Sequence, residues 1–385
     1  MNKLYNTQED IATTIRSKLL EIIPNMRKTQ LNILPYIIIG LLQSESVVAS
    51  DISKVLKNDF SLVQPYSVVK RIKRFYSNNL FDPYDFYDNI IKYVVNNYKK
   101  KHPDDRVHII FDHMFSKDNY TVFMITMRIG KQGIPLWFRC FKGNDSPDAF
   151  KEKLLKEGIS YVSNLFNSSF DLIFLADRWF NSISLLSHIA SLGHTFCIRL
   201  KGNIKTLVYD QKEGHLIWKF LSNFKAYKYH SKTFSNILLS DHLFKVNIVI
   251  GKKENVKEPW IIVTNGDPKR AIKDYGYRFG GIECVFKNQK SNGFNLEKTV
   301  NASLKYFTTE YTLACFGVLY LMILGAEYSK NSRCYRKLNL ETHKYIKGLK
   351  TRMLSLFNTG LSLFKIAFNS SRYIRLPFHL ILYDI

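Results

Sequence analysis

The chain has 385 residues, 46% of them apolar and 14% aromatic, with 56 Lys and Arg against 32 Asp and Glu for a formal charge of +24. That length and apolar content exclude a disordered or fibrous chain and allow two or three cores. Such a positive excess repels itself in a compact state unless a polyanion relieves it, which points to nucleic acid or an anionic surface as partner. The excess is not a tail: residues 1–100 hold 14 basic against 9 acidic side chains, and residues 331–385 hold 10 against 2. Positive charge spread over several folded segments suits a long groove for a phosphate backbone.

Along the chain, residues 1–100 are periodic at helical spacing. The N-terminal "MNKLYNTQEDIATTIRSKLL" places acids and polar residues where a signal peptide would have its apolar stretch. The clearest helices are "VASDISKVL" (48–56) and "PYSVVKRIKRFY" (65–76). The second puts Val69, Ile72 and Phe75 or Tyr76 on one side, with Lys70, Lys73 and Arg74 largely off it. The pair is compatible with a DNA-binding helix-turn-helix and equally with a small helical bundle. "LNILPYIIIGLL" (31–42), broken by Pro35 and Gly40, and "TLACFGVLYLMIL" (312–324) are short of the ~20 residues needed to span a bilayer, and read as buried helices.

From residue 107 the texture changes to strands: "VHIIFD" (107–112), "YTVFMITMR" (120–128) and "IPLWFRCF" (134–141), the last two joined by "GKQG" (130–133). A helix at 147–166, the strand "DLIFLAD" (171–177), a helix at 181–192 and the strand "TFCIRL" (195–200) continue an alternating α/β unit. Residues 203–267 break the alternation with short strands such as "KVNIVIG" and "WIIVTNG", and helical texture resumes at 270. The five cysteines, at 140, 197, 284, 315 and 334, form no CxxC pair and no zinc spacing, as expected of a reduced, intracellular protein. No Ser-His-Asp, Cys-His or phosphate-loop pattern stands out.

Two aspartates close apolar strands, Asp112 after "VHIIF" and Asp177 after "DLIFLA". In open α/β sheets ligands bind where strands end, although turn and cap aspartates are common at the same places. Glu283 is the third acid, in "RFGGIECVFKNQK" among Arg278, Lys287 and Lys290. On a helix, Glu283 and Lys290 are about two turns apart on one face, flanked by Ile282, Val285, Phe286 and Gln289. The bland reading is a surface helix with a solvated charged face. Three converging carboxylates would repel unless a divalent cation joined them, and all-oxygen donors select Mg²⁺ or Mn²⁺. A basic groove around an acidic metal site fits phosphodiester chemistry.

With these residues the chain resembles a DDE transposase of the insertion-sequence-four family. Tyr275, Arg278, Glu283 and Lys290 fill that family's Tyr-x2-Arg-x3-Glu-x6-Lys signature, with one extra residue between arginine and glutamate at the Gly280–Gly281 pair. Asp112 and Asp177 resemble the first two acids, and the likeness covers roughly residues 30–325. It implies an α/β fold: a ribonuclease-H-like catalytic core (101–202 and 268–328) with a β-rich insertion subdomain (203–267). To these it adds a helical DNA-binding region (1–100) and a basic helical C-terminal region (329–385). Asp112, Asp177 and Glu283 become catalytic and metal-holding, with two Mg²⁺ or Mn²⁺ ions. Tyr275, Arg278, Lys290, Lys287, Arg199, Lys201 and Trp179 become DNA contacts.

The implied partners are double-stranded DNA, as terminal inverted repeats and target, and a second copy in a synaptic homodimer, with no membrane. The implied location is cytoplasmic, on the nucleoid. A DNA-binding descendant that no longer cuts, or a ribonuclease-H-like nuclease without strand transfer, are the alternatives. His113 is expected to pack on the opposite strand face, Glu297 to be structural, and Asp104 and Asp105 to be solvated. Trp179 suits either a base contact or a place in the core.

Overall fold

The structure is a computed structural model. It describes residues 8–56, 64–98, 106–116, 120–143, 146–166, 170–224, 231–240, 242–251, 259–290, 293–298, 303–330, 343–346, 349–352 and 354–369, with a few residues beyond. Asp104, Asp105, Cys334 and much of the basic C-terminal region lie outside the described residues.

Five helices come first: α1 (Gln8–Ile22), α2 (Lys28–Ser44), α3 (Ala49–Val55), α4 (Pro65–Tyr76) and α5 (Pro83–Asn96). Pro65 and Pro83 each sit in a first turn, where a missing N–H costs nothing. Asp82 caps α5 by accepting from the amides of Tyr84 and Asp85. Helix α4 buries Val68, Ile72, Phe75 and Tyr76 and leaves Lys70, Arg71, Lys73 and Arg74 exposed.

Strands β1 (Val107–Phe115), β2 (Tyr120–Ile129) and β3 (Gln132–Lys142) follow, then α6 (Asp148–Leu165), β4 (Leu172–Ala176), α7 (Ile183–Ser191) and β5 (Thr195–Arg199). Gly130, at φ 57°, supplies the left-handed turn between β2 and β3. Pro135 lies where the β2–β3 register shifts, so its missing amide interrupts no regular ladder, and the Tyr87 hydroxyl donates to its carbonyl at 2.9 Å. β1 pairs antiparallel with β2 and parallel with β4, which pairs parallel with β5. The parallel strand β4 is buried at all five positions, as strands covered on both faces must be.

Residues 203–267 supply β6 (Lys205–Asp210), β7 (His215–Phe220), β8 (Lys232–Leu239), β9 (Phe244–Gly251) and β10 (Trp260–Thr264). The expectation of a separate β-rich subdomain needs correcting here. All ten strands form one sheet in the order β3-β2-β1-β4-β5-β10-β9-β8-β6-β7, because β10 returns to pair antiparallel with β5. The reason is in β10 itself: "WIIVT" is buried at every position, and laying it along β5 covers the open edge of that strand.

Helices α8 (Pro268–Gly276), α9 (Ile282–Gln289) and α10 (Leu304–Lys330) follow, then the hairpin β11 (His343–Ile346) and β12 (Leu349–Arg352), and α11 (Leu356–Asn369). The most apolar window of α10, long enough to cross a membrane, is wholly buried in the protein. α10 packs against α2, α4, α5, β3, α9 and α11. The buried apolar side chains consequently form one contiguous cluster, which joins the N-terminal helices to the sheet instead of setting residues 1–100 apart.

Candidate active site

Asp112 lies inside β1, which runs on three residues past it to Phe115, and it is held there by the ladder to β2 just beyond the last β4 pairing at Ile110. Asp177 follows β4 directly and opens the turn to α7. Each aspartate spends one oxygen on its own backbone. Asp112 Oδ1 accepts from the amide of His113 at 2.8 Å, and Asp177 Oδ1 from the amide of Trp179 at 2.8 Å. These bonds fix the carboxyl planes and leave both Oδ2 atoms facing the same space.

Glu283 arrives from the other direction, in the first turn of α9, where a carboxylate also suits the helix dipole. Its position depends on the two glycines before it. Gly280 has φ 86°, a conformation that side chains disfavour. A Cβ on Gly281 would stand 2.2 Å from Ile110 Cδ1 on β1, so any larger residue there would have to push the end of the Ile110 side chain aside for α9 to settle on the sheet. Ile282, Val285 and Gln289 then bury the inner face of the helix and leave Glu283 half exposed.

The three acids meet at one cation. Arg278 Nη2 stands 2.7 Å from Asp112 Oδ2 and 3.5 Å from Asp177 Oδ2, and Nη1 stands 3.8 Å from Glu283 Oε1. The Arg278 side chain is 9% exposed, and its Nε is buried without a hydrogen-bond partner. Burial pushes the Asp112 carboxyl above its ordinary value, and the Asp177 charge adds to this. The guanidinium and the His113 amide work in the opposite direction. Among the described residues no three His, Cys, Asp or Glu side chains are spaced to hold a metal ion by themselves. The donor set is nevertheless all oxygen and anionic, the chemistry that suits a hard divalent cation. Arg278 fills its middle.

Three sequence-based assignments are corrected. Arg278, expected on DNA phosphate, is buried and committed to the acids. Tyr275 is 1% exposed, edge-on to Trp260 and Phe279, so it is a core residue and not a DNA contact. The helix bearing Glu283 ends at Gln289. Lys290 is therefore its C-cap rather than a second residue on a continuous face, and it pairs with Glu297 at 3.5 Å.

Lys287 is exposed on α9. Arg199 ends β5 and Lys201 follows it, with its Nζ 5.2 Å from the ring centre of Trp179. Trp179 is 68% exposed, which removes the core alternative. His113 packs in a ring cluster with Phe115, Phe123, Trp179 and Phe180, and its Nδ1 also stands 3.7 Å from Asp112 Oδ1. That cluster lines a groove of about 740 Å³ on the opposite face of β1.

Sequence reasoning missed a second charged cluster at the other end of β1. Asp274, 2% exposed, stands 3.2 Å from His108 Nε2, 3.7 Å from Arg106 and 3.9 Å from Arg270. Arg106 also bridges Asp171 at 2.9 Å, and Tyr277 is covered by Arg128 at 4.2 Å and edged by His108. The available signal was an acid on the apolar side of α8, one turn before Arg278.

No family model matches this chain, and no curated protein matches it. Among solved structures it is similar to a piggyBac transposase synaptic complex with hairpin DNA, at 13% identity and a TM-score of 0.47, over 96% of this chain and 79% of that one. A likeness at that level carries no argument about activity, and the function rests on the side chains described above.

Proposed function

We propose that the chain is a metal-dependent DNA transposase with a ribonuclease-H-like core, acting on the ends of its own element. One observation carries the reading: acids from β1, from the end of β4 and from α9 converge on a single guanidinium. The strand order β3-β2-β1-β4-β5, antiparallel and then parallel, supports a ribonuclease-H-like reading of that part of the sheet. Asp112, Asp177 and Glu283 would hold the divalent cations, Mg²⁺ or Mn²⁺ in a pair. When bound, such ions activate the attacking oxygen and stabilise the leaving one.

The chain's own residues orient and neutralise. The backbone bonds to Asp112 and Asp177 fix which carboxylate oxygens face the DNA. Lys201, Lys287 and Lys290 offer charge to phosphates around the acids, and exposed Trp179 offers a ring face beside Asp177. Strand transfer to target DNA, a synaptic homodimer and a nucleoid location complete the proposal. Arg278 at the centre of the acids favours one second reading, a descendant that binds DNA without cutting it. Supercoiled DNA carrying the element's ends separates the two. Nicking that needs Mg²⁺ or Mn²⁺ and is lost in Asp112→Asn supports the transposase. Binding without nicking at any metal concentration supports the descendant.

A further inference from the structure

We propose that Arg278 is an intramolecular counter-cation that competes with a divalent ion for the Asp112–Asp177–Glu283 cage, so that loading the cage requires its displacement. This rests on the metal-site reading above and adds a control to it. The guanidinium is held by charge more than by directed bonds. Only the 2.7 Å contact to Asp112 has hydrogen-bond length; those at 3.5 and 3.8 Å do not, and Nε has no partner. A structural arginine of this burial would use its donors more fully.

A small divalent cation takes carboxylate oxygens at roughly 2.1 Å, and the Oδ2 atoms it would need are the ones now facing Nη2. The two cations cannot share that position. In its present position the Cζ lies 5.8 Å from the ring centre of Phe279, which is 44% exposed and stacked on Trp260. In the metal-free protein, Arg278 would then keep the acids together while limiting cleavage until an ion outbids it.

The test is Mn²⁺ binding to the full chain without DNA, followed by the loss of the free-ion electron paramagnetic resonance signal. The variants are Arg278→Gln and Arg278→Met, with folding checked by circular dichroism. Removing the competing charge should tighten Mn²⁺ binding at least about tenfold, the coupling expected of two ligands that exclude each other. The double variant Asp112→Asn/Arg278→Gln should lose that gain. Equal binding by wild type and both Arg278 variants, with binding lost in Asp112→Asn, overturns the competition and leaves the metal site standing. No binding by any variant overturns the metal site, and the competition falls with it. Should neither Arg278 variant fold, the wild type decides: in a crystal grown with Mn²⁺, Arg278 should lie off Asp112. An ion in the cage with Arg278 still bonded to Asp112 overturns the proposal.

Discussion

The two ends of β1 carry opposite charge arrangements on the same scaffold. At one end the acid Asp274 is met by Arg106, His108 and Arg270; at the other the cation Arg278 is met by Asp112, Asp177 and Glu283. Both bridges from β1 span 166 residues, His108 to Asp274 and Asp112 to Arg278, so the end of α8 and the turn after it follow one face of the strand. The first cluster is balanced, since Asp274 and Asp171 face Arg106 and Arg270. A balanced cluster around one buried acid behaves as structure. In the second, one guanidinium stands between three carboxylates and cannot neutralise them. That imbalance is what the proposed site rests on.

The comparison breaks most visibly in activity. Asp112→Asn, Asp177→Asn and Glu283→Gln should each cut metal-dependent nicking by ~10³-fold or more, about 4 kcal/mol of barrier. Folding should hold, because the remaining acids still face Arg278. A single one of these variants that nicks normally removes that residue from the site.

Asp274→Asn should do the reverse, with binding chemistry intact and stability reduced. It takes one acid from Arg106 and Arg270, which are partly exposed and so screened by solvent, a loss of about 1 kcal/mol. Urea unfolding monitored by fluorescence measures it. If Asp274→Asn unfolds no more readily than Asp112→Asn, the two ends of β1 are not different in kind.

Much of this was legible in the sequence, and what was not has a physical cause. The strands at 107–112, 120–128 and 134–141 and the helix at 65–76 read directly, because period and apolar content are local properties. Asp177 does follow the end of an apolar strand as expected, whereas Asp112 lies inside β1 rather than at its end, and the helix face expected to join Glu283 to Lys290 stops at Gln289. The role of Arg278 was not legible. Its direction is set by where α8 stops and by the Gly280–Gly281 turn against Ile110, both tertiary facts. Asp274 reads as a solvated helix acid until His108 and Arg106, far away in the chain, are placed beside it. The single ten-stranded sheet hinges on the β5–β10 pairing, a non-local contact that no window of sequence contains.

Acidity sharpens the contrast at smaller cost. Burial raises the Asp112 carboxyl above its ordinary 3.8, so the folded chain holds that proton more tightly than the unfolded chain. The stabilisation from protonating Asp112 is therefore complete below 3.8 and is lost as pH rises through the folded value. Wild type should consequently gain on Asp112→Asn as pH falls from 7 towards 4, with urea midpoints as the readout. A gap that moves the other way would mean that the charge of Arg278 outweighs the burial of Asp112.

The smallest effect separates charges that face DNA from charges that face the acids. Lys290 is partly exposed beyond the end of α9 and holds Glu297 only at 3.5 Å, so it is free to exchange that partner for a phosphate. Lys287, one turn earlier, is exposed. Lys290→Ala and Lys287→Ala should each lower the slope of log binding constant against log salt by about one unit, the signature of one lost phosphate contact. Arg278→Gln should leave the slope unchanged when divalent metal is absent, since the buried guanidinium is committed to carboxylates and releases no counterion from DNA. Salt titration of end binding for the three variants, in chelator, reads this directly. A slope that falls in Arg278→Gln would place that side chain on the backbone after all. A slope unchanged in both lysine variants would return α9 to a solvated surface helix whose charges serve solubility alone.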